Sequence, residues 1–232
     1  MTVAARARAL GYPYHRPDGS WVLTGRTGDR RAQPLADDEV AAAVEGRVAV
    51  LAIGANAAPS QLTRKFADGS WGDVPVVATA LAGHDVVYAA RVSEYGAVPA
   101  TRWPCAGVTV SVHTTFLTVA QVARMDETEG LGLGYRRVEV DPADVGLPVA
   151  PPPVVHSYDA IAGALAVGRR PVALVVIRAA GRVLPVMDEA GVLAWVAEQQ
   201  ATTVDDLLDA LLGPGGRVRR DELRRWLAAR AM

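Results

Sequence analysis

Short β-strand patterns recur along this chain, and few long helical patterns separate them. The strand candidates are apolar or alternating runs of five to nine residues bounded by turn residues. They cover residues 48–53, 74–80, 84–92, 108–113, 136–140 and 154–158, and a hairpin of 172–178 with 182–187. A doubly wound sheet would need alternating helices of about ten or more residues. We therefore predict an α+β fold with a mixed, strongly curved or barrel-like β-sheet and flanking helices.

Helical patterns lie mainly in the middle and at the end of the chain. Thr118 and Gln121 have the spacing of a capping box, which predicts a helix that ends before Gly130. Three more amphipathic segments follow residue 189, at 190–200, 204–212 and 221–230. These patterns divide the chain into an N-terminal arm, a core and a C-terminal helical extension. The predicted bounds are 1–46, 47–188 and 189–232, with a short helix near 37–45 in the arm.

Composition argues against several classes of function. The net charge of −1 gives no general attraction to nucleic acid. The single cysteine, Cys105, cannot form an intrachain disulfide, which favours a reducing, cytoplasmic location. No apolar run reaches the roughly 18 residues of a membrane span, and the N-terminus lacks a secretory signal pattern. No histidine has metal-ligand spacing, and the chain has no P-loop or dinucleotide fingerprint, so we expect neither a metal nor a cofactor.

The terminal segments contain aromatic and arginine-rich patches. The aromatic residues Tyr12, Tyr14 and Trp21 are interpreted as pinning the arm to the core, with a ligand site as the alternative. The arginines of residues 217–225 are interpreted as a solvated face, because acidic residues interleave with them. The C-terminal helices, of which the last has an apolar side, form a candidate homodimer surface. No nucleic acid or membrane partner is expected.

Two segments carry the residues suited to chemistry. The first, Leu-Ala-Ile-Gly-Ala-Asn at 51–56, is a strand that enters a loop of small residues. Such a loop can point several backbone N–H groups at an anion or a developing oxyanion. The second runs through Asp-Glu-Thr-Glu-Gly at 126–130 to Tyr-Arg-Arg-Val-Glu-Val at 135–140. It places Glu129 at a helix end, where partial burial is expected to raise its pKa toward that of a general base.

Together with Val-Pro-Ala-Thr at 98–101, these segments resemble the γ-glutamylcyclotransferase-like superfamily. The resemblance covers about residues 48–140, with 154–187 as its remainder, and so assigns the core at 47–188 to that fold. Members typically carry a Tyr-Gly-Ser-Asn loop and a Glu-Gly pair ahead of a strand with a tyrosine. Here Ile53 stands in place of the loop tyrosine, and Ala55 in place of the serine.

The resemblance implies a catalytic role for Glu129, with Gly130 after it. It also implies substrate binding by Ile53, Gly54, Ala55, Asn56 and Tyr135. Glu129 would take a proton from the α-amino group of a small γ-glutamyl amine or amide, whose nitrogen would then attack the γ-carbonyl. Loop N–H groups would hold the oxyanion, and 5-oxoproline and an amine would be released. Such an enzyme is classed as a transferase or lyase and needs no cofactor.

Two other functions fit the same residues. One is a binding or accessory module that holds a carboxylate-bearing metabolite without turnover. The other is a related amide-processing hydrolase in which Glu129 activates water. Because the C-terminal helices lie outside the resemblance, the sequence predicts that residues after 213 can be removed without loss of the pocket.

Overall fold

A computed structural model describes residues 2–232, which form seven α-helices and thirteen β-strands. The helices are α1 (Val3–Leu10), α2 (Asp37–Val44), α3 (Pro59–Lys65), α4 (Val119–Glu129), α5 (Glu189–Gln199), α6 (Val204–Leu212) and α7 (Gly216–Ala228). The strands are β1 (Trp21–Thr24), β2 (Arg31–Pro34), β3 (Val48–Ala52), β4 (Val74–Tyr88), β5 (Ala100–Leu117), β6 (Tyr135–Val140), β7 (Val145–Gly146), β8 (Val155–Ala160), β9 (Ala166–Val167), β10 (Arg170–Pro171), β11 (Ala173–Leu174), β12 (Ala179–Ala180) and β13 (Val186–Met187).

Two long strands, β4 and β5, form the centre of the main sheet. They pair antiparallel from Val76 opposite Thr115 to Tyr88 opposite Ala100. The strand order is β13-β11-β4-β5-β3-β8-β6, and the pairs β3–β8 and β11–β13 are parallel. This confirms the predicted mixed sheet with flanking helices. The sheet is not closed into a barrel, because within residues 2–232 β6 pairs only with β8 and β13 only with β11.

Both faces of the sheet are buried, as β3 shows. Ala49 and Leu51 belong to one apolar cluster and Val50 to a second. Successive side chains of a strand point to opposite faces, which explains why β3 is apolar throughout. The first cluster contains side chains of α1, α2, α5, α6 and α7, and the second contains side chains of α3 and α4. Helices therefore cover the sheet on both sides.

The hairpin predicted for residues 172–178 and 182–187 is wrong. The structure pairs β11 with β13 in parallel, while β12 runs antiparallel to β5. Between β12 and β13, Arg182 donates three hydrogen bonds to Asp85, two from Nε and one from Nη2, of which the shortest is 2.7 Å long. Asp85 is fully buried, and a buried carboxylate needs such a partner. This ion pair joins residues 97 apart, so the local alternation of apolar residues does not reveal it.

The predicted capping box at the start of α4 is confirmed. Thr118 Oγ1 accepts the Gln121 N–H at 3.2 Å, and Gln121 Oε1 accepts the Thr118 N–H at 2.8 Å. The helix ends at Glu129, and Gly130 follows with a φ of 62°, a left-handed conformation that favours glycine. Both ends of α4 are thus fixed by local sequence, and Glu129 is placed at its last turn.

The C-terminal helix α7 packs its apolar side inside the molecule. Leu223 and Leu227 are 1% and 0% exposed and belong to the first apolar cluster. Arg224 Nε donates to the Val92 carbonyl at 2.9 Å. This packing argues against the sequence-based expectation that residues after 213 can be removed. The homodimer surface stays a prediction, although these two leucines are already covered within the chain.

Among residues 2–232, no helix combines the length and the apolar content that crossing a membrane requires.

Replacing Leu227 with alanine should lower the free energy of unfolding by about 2–5 kcal/mol, because removal of the leucine methyl groups leaves a cavity in the core. Val218→Ala is the matched control: Val218 lies on the same helix, is 64% exposed and should change stability by less than about 0.5 kcal/mol. Urea denaturation measures both values. If the two variants were equally stable, α7 would not contribute to the core.

Candidate active site

The turn that follows β3 forms one side of the site. Gly54 leads into a short 3₁₀ helix, Ala55–Ala57. The turn is closed by the Ala57 N–H, which donates to the Gly54 carbonyl at 3.1 Å. Within residues 2–232, the N–H groups of Gly54, Ala55 and Asn56 have no backbone acceptor. Unpaired N–H groups at a helix start can donate to a ligand.

Glu129 lies at the end of α4 and faces this turn. Its Oε1 accepts a hydrogen bond from Asn56 Nδ2 at 3.0 Å and forms an ion pair with Lys65, the last residue of α3. Side chains of the described residues donate no hydrogen bond to Oε2. Glu129 is 14% exposed and Lys65 is 5% exposed. One oxygen of a largely buried carboxylate is therefore fixed, while the other can accept a proton.

The pKa of Glu129 is lowered from its ordinary value of 4.5. Burial alone would raise this pKa, but the charge of Lys65 and the hydrogen bonds from Lys65 and Asn56 outweigh it, and Arg91 adds to the lowering. The sequence-based expectation of a raised pKa is therefore wrong. It considered the burial of the carboxylate but not Lys65, which is 64 residues away in the chain.

The backbone of Ala100, at the start of β5, holds two tyrosines in the wall of the site. Its N–H donates to the Tyr12 hydroxyl at 2.7 Å, and its carbonyl accepts the Tyr135 hydroxyl at 3.2 Å. Burial raises the pKa of Tyr135, so its hydroxyl keeps its proton. A Cβ on Gly54 would collide with the Tyr12 hydroxyl and lie 3.2 Å from the Ala100 Cβ. The glycine thus makes room for Tyr12 from the arm.

Cationic side chains outnumber carboxylates around the site, seven to three. Each carboxylate has an arginine or lysine partner: Glu129 pairs with Lys65, Glu127 with Arg124, and Glu94 with Arg224. Three other arginines stack on tyrosine rings instead. They are Arg8 on Tyr95 at 4.5 Å, Arg64 on Tyr14 at 5.2 Å and Arg91 on Tyr135 at 4.9 Å. The site therefore has an excess of positive charge that favours an anionic ligand.

Apart from Ala57 and Tyr14, these groups line one cavity of about 890 Å³, a size suited to a small molecule. Its wall contains every residue that the sequence singled out, namely Ile53, Gly54, Ala55, Asn56, Glu129 and Tyr135. Ile53 is 6% exposed and packs in the first apolar cluster. Among residues 2–232, no three His, Cys, Asp or Glu side chains are grouped so that they could hold a metal ion.

Sequence reasoning missed two of the charged side chains that shape the site and gave Tyr12 only as an alternative. Lys65 had one signal, since it is the only lysine in the chain. Arg91 had an indirect one: its guanidinium lies against Gly134, where any Cβ would collide with it. Tyr12 was interpreted as an anchor for the arm, with a ligand site as the alternative, and it lines the cavity while being 6% exposed.

Comparisons with known proteins leave the family open. No family model matches the chain, and no curated protein matches it. The solution structure of At5g39720.1 from Arabidopsis thaliana is similar over 49% of this chain and 68% of that one, with 19% identity and a TM-score of 0.35. The crystal structure of the uncharacterized protein loc79017 from Homo sapiens is similar over 49% and 66%, with 18% identity and a TM-score of 0.41. These values do not establish a shared family.

Replacing Lys65 with methionine should raise the pKa of Glu129, because burial then acts without the opposing charge. Lys65→Arg keeps the charge and should keep the pKa low. A carboxyl carbon NMR titration, with Glu129 assigned from a Glu129→Gln spectrum, measures both. An unchanged pKa in Lys65→Met would show that Asn56 and Arg91 suffice to hold the carboxylate ionised.

The same variant changes how stability depends on pH. The folded pKa of Glu129 lies below 4.5, so ionised Glu129 stabilises the protein above that pH. This contribution is lost as the pH falls through the lower folded value. Lys65→Met should therefore be less stable than Lys65→Arg near neutral pH, and the difference should shrink in acid.

A double-mutant cycle tests the packing of Gly54 against Tyr12. Gly54→Ala should lower the melting temperature, because its methyl group meets the Tyr12 hydroxyl. In a Tyr12→Phe background the loss should be smaller, with a coupling of about 0.5–3 kcal/mol. Ala55→Ser, in the same turn, should be nearly neutral. If the two effects added without coupling, the glycine would serve only the turn.

Proposed function

We propose that the chain is a γ-glutamylcyclotransferase-like enzyme that acts on a small γ-glutamyl amine or amide. The observation that carries this proposal is that Glu129 shares one cavity with Gly54, Ala55 and Asn56, whose N–H groups have no backbone acceptor among residues 2–232. A base and a set of oxyanion donors are the two elements that intramolecular acyl transfer requires. The cytoplasmic location expected from the single Cys105 belongs to the same proposal.

In this reaction Glu129 Oε2 takes a proton from the α-ammonium group of the substrate. The α-nitrogen then forms a bond to the γ-carbonyl carbon, and the resulting oxyanion accepts hydrogen bonds from the N–H groups of Gly54, Ala55 and Asn56. Collapse of this intermediate breaks the bond between that carbon and the leaving nitrogen. Glu129 returns its proton to that nitrogen, and the ring nitrogen then passes its surplus proton through Glu129 to the departing amine, so 5-oxoproline and an ammonium ion leave. Because the attack is intramolecular, positioning supplies much of the rate.

Lys65 has two effects on the first proton transfer. By lowering the pKa of Glu129 it keeps the carboxylate ionised at neutral pH but also makes it a weaker base. Its positive charge beside Oε1 also disfavours the protonated, cationic form of the substrate amino group near Oε2, because like charges repel. The second effect lowers the pKa of the substrate ammonium and so offsets the weaker base.

The cationic wall suits the carboxylate of a γ-glutamyl group. Arg91 contacts Tyr135, and neither Arg91 nor Arg64 forms an ion pair with any carboxylate of residues 2–232. A planar guanidinium can bind a carboxylate through two parallel hydrogen bonds. These arginines provide polar groups for the substrate, which the apolar side chains of Ile53 and Ala55 cannot provide.

One observation favours a second candidate, a binding module without turnover. The ion pair with Lys65 and the hydrogen bond from Asn56 both stabilise Glu129 in its ionised form, which opposes proton uptake. A site with excess positive charge could then hold a carboxylate-bearing metabolite unchanged. The two candidates differ in whether 5-oxoproline appears.

The deciding experiment incubates the protein with a panel of γ-glutamyl amines and measures 5-oxoproline by chromatography. Glu129→Gln should lose activity by about two to four orders of magnitude, because the amide cannot accept the proton. Glu127→Gln is the matched control: Glu127 lies two residues earlier in the same wall, is 68% exposed and should stay within a few-fold of wild type.

Melting temperatures check that the variants fold. Glu129→Gln leaves the buried Lys65 charge without a carboxylate, which is costly, so the double variant Glu129→Gln with Lys65→Met is the stable form to compare. Full activity in Glu129→Gln would remove this residue from the mechanism. Release of glutamate in place of 5-oxoproline would indicate a hydrolase, and saturable binding without any product would indicate the binding module.

A further inference from the structure

A second cavity, of about 860 Å³, lies between the N-terminal arm and the sheet. One wall is the arm segment 11–18, and the other is formed mainly by β4 and β5 around Thr79 and His113. Tyr12 borders both this cavity and the candidate active site. Apart from Tyr12, no residue within 2–232 that lines this second cavity also lines the candidate active site, and none takes part in the proposed cyclotransferase chemistry.

Arg16 brings a guanidinium with unused hydrogen-bonding capacity to this cavity. Its Nη2 donates to the Ser111 carbonyl at 3.3 Å, but its Nη1 is buried and has no hydrogen-bond partner among residues 2–232. Asp18, the carboxylate in the same wall, pairs with Arg178 at 3.5 Å instead. A buried, unpaired N–H of a charged group is costly, and an anion would relieve that cost.

His113 adds a second unsatisfied group, of the opposite hydrogen-bonding type. It lines the cavity and is 4% exposed. Its Nε2 lies 3.3 Å from the Gly19 carbonyl, and because a carbonyl only accepts, Nε2 carries the proton. Burial and the nearby Arg16 charge lower the pKa of His113 to about 4, so the ring is neutral near pH 7. Nδ1 is therefore an acceptor, buried and without a hydrogen-bond donor among residues 2–232. The Pro17 carbonyl also lies near this ring, but a carbonyl cannot donate to Nδ1.

We infer that this second cavity binds a small anion that also carries a hydroxyl hydrogen, with Arg16 on the anionic oxygen and His113 Nδ1 accepting the O–H. Hydrogen phosphate has both features, and so does an α-hydroxycarboxylate such as lactate. Sulfate and acetate offer comparable charged oxygens without the hydroxyl hydrogen. The pair of unsatisfied groups thus predicts a discrimination that charge alone would not give.

Isothermal titration calorimetry on the full chain tests this discrimination at about pH 8, where phosphate carries one O–H and two charges. Phosphate is compared with sulfate, and lactate with acetate, at matched ionic strength. At least one hydroxyl-bearing probe should bind saturably, about tenfold or more tighter than its partner. A difference between phosphate and sulfate would indicate a phosphate site, and a difference between lactate and acetate would indicate a hydroxycarboxylate site. Equal affinities within both pairs, or no saturable binding of any probe, would overturn the inference.

Arg16→Met should weaken binding of the preferred probe by about tenfold or more, since a hydrogen bond to a charged group is lost. Arg26→Met removes the same charge from an exposed position outside this cavity and should bind as wild type does. If Arg16→Met bound as tightly as this control, the site would lie elsewhere.

A measurement on the wild type keeps the inference testable if Arg16→Met fails to fold. The imidazole nitrogen shifts of the four histidines can be recorded by NMR, with His113 assigned from a His113→Gln spectrum. Saturating probe should move the His113 Nδ1 signal in the direction of a nitrogen that accepts a hydrogen bond. An Nδ1 signal that stays in place at saturation would exclude His113 from the site.

Discussion

The antiparallel pairing of β4 with β5 is the interaction on which the rest of the structure depends. The strands β1, β7 and β11 attach to β4, and β3 and β12 attach to β5. Ala100, the first residue of β5, then places its N–H and carbonyl where Tyr12 and Tyr135 meet them. A slip of one residue would turn the side chains of β5 to the opposite face. The position of the candidate site thus follows from the register of two strands.

The parts of the fold that depend on neighbouring residues were predictable from sequence. The capping box of Thr118 and Gln121 fixed the start of α4 and, with Gly130, put Glu129 at its end. Contacts between distant residues were not predictable. Where the sequence predicted a hairpin, the structure has the ion pair of Arg182 with Asp85. No local pattern encodes a pair of residues 97 positions apart. The motifs identified the residues of the candidate site from sequence, but they did not identify Lys65 and Arg91, whose charges act on Glu129.

The ion pair of Lys65 with Glu129 shows why burial alone is a poor guide to a carboxylate. Burial raises a carboxylate pKa and an adjacent cation lowers it, and here the cation, with the Asn56 hydrogen bond, has the larger effect. Holding two charges at so little exposure costs desolvation, which only good geometry and further hydrogen bonds recover. The same arrangement that keeps Glu129 ionised also fixes Oε1, so that Oε2 is the oxygen left to exchange a proton.

The N-terminal arm is structurally part of both cavities, although its sequence lies outside the resemblance. Its β1 pairs with β4, and its Tyr12 hydroxyl lies against Gly54 in the turn that Ile53 enters without a hydroxyl of its own. Tyr12 accepts a hydrogen bond from Ala100, which ties the arm to the start of β5. Tyr12 therefore borders both cavities, so a ligand that fixes Tyr12 from one cavity also fixes part of the surface of the other.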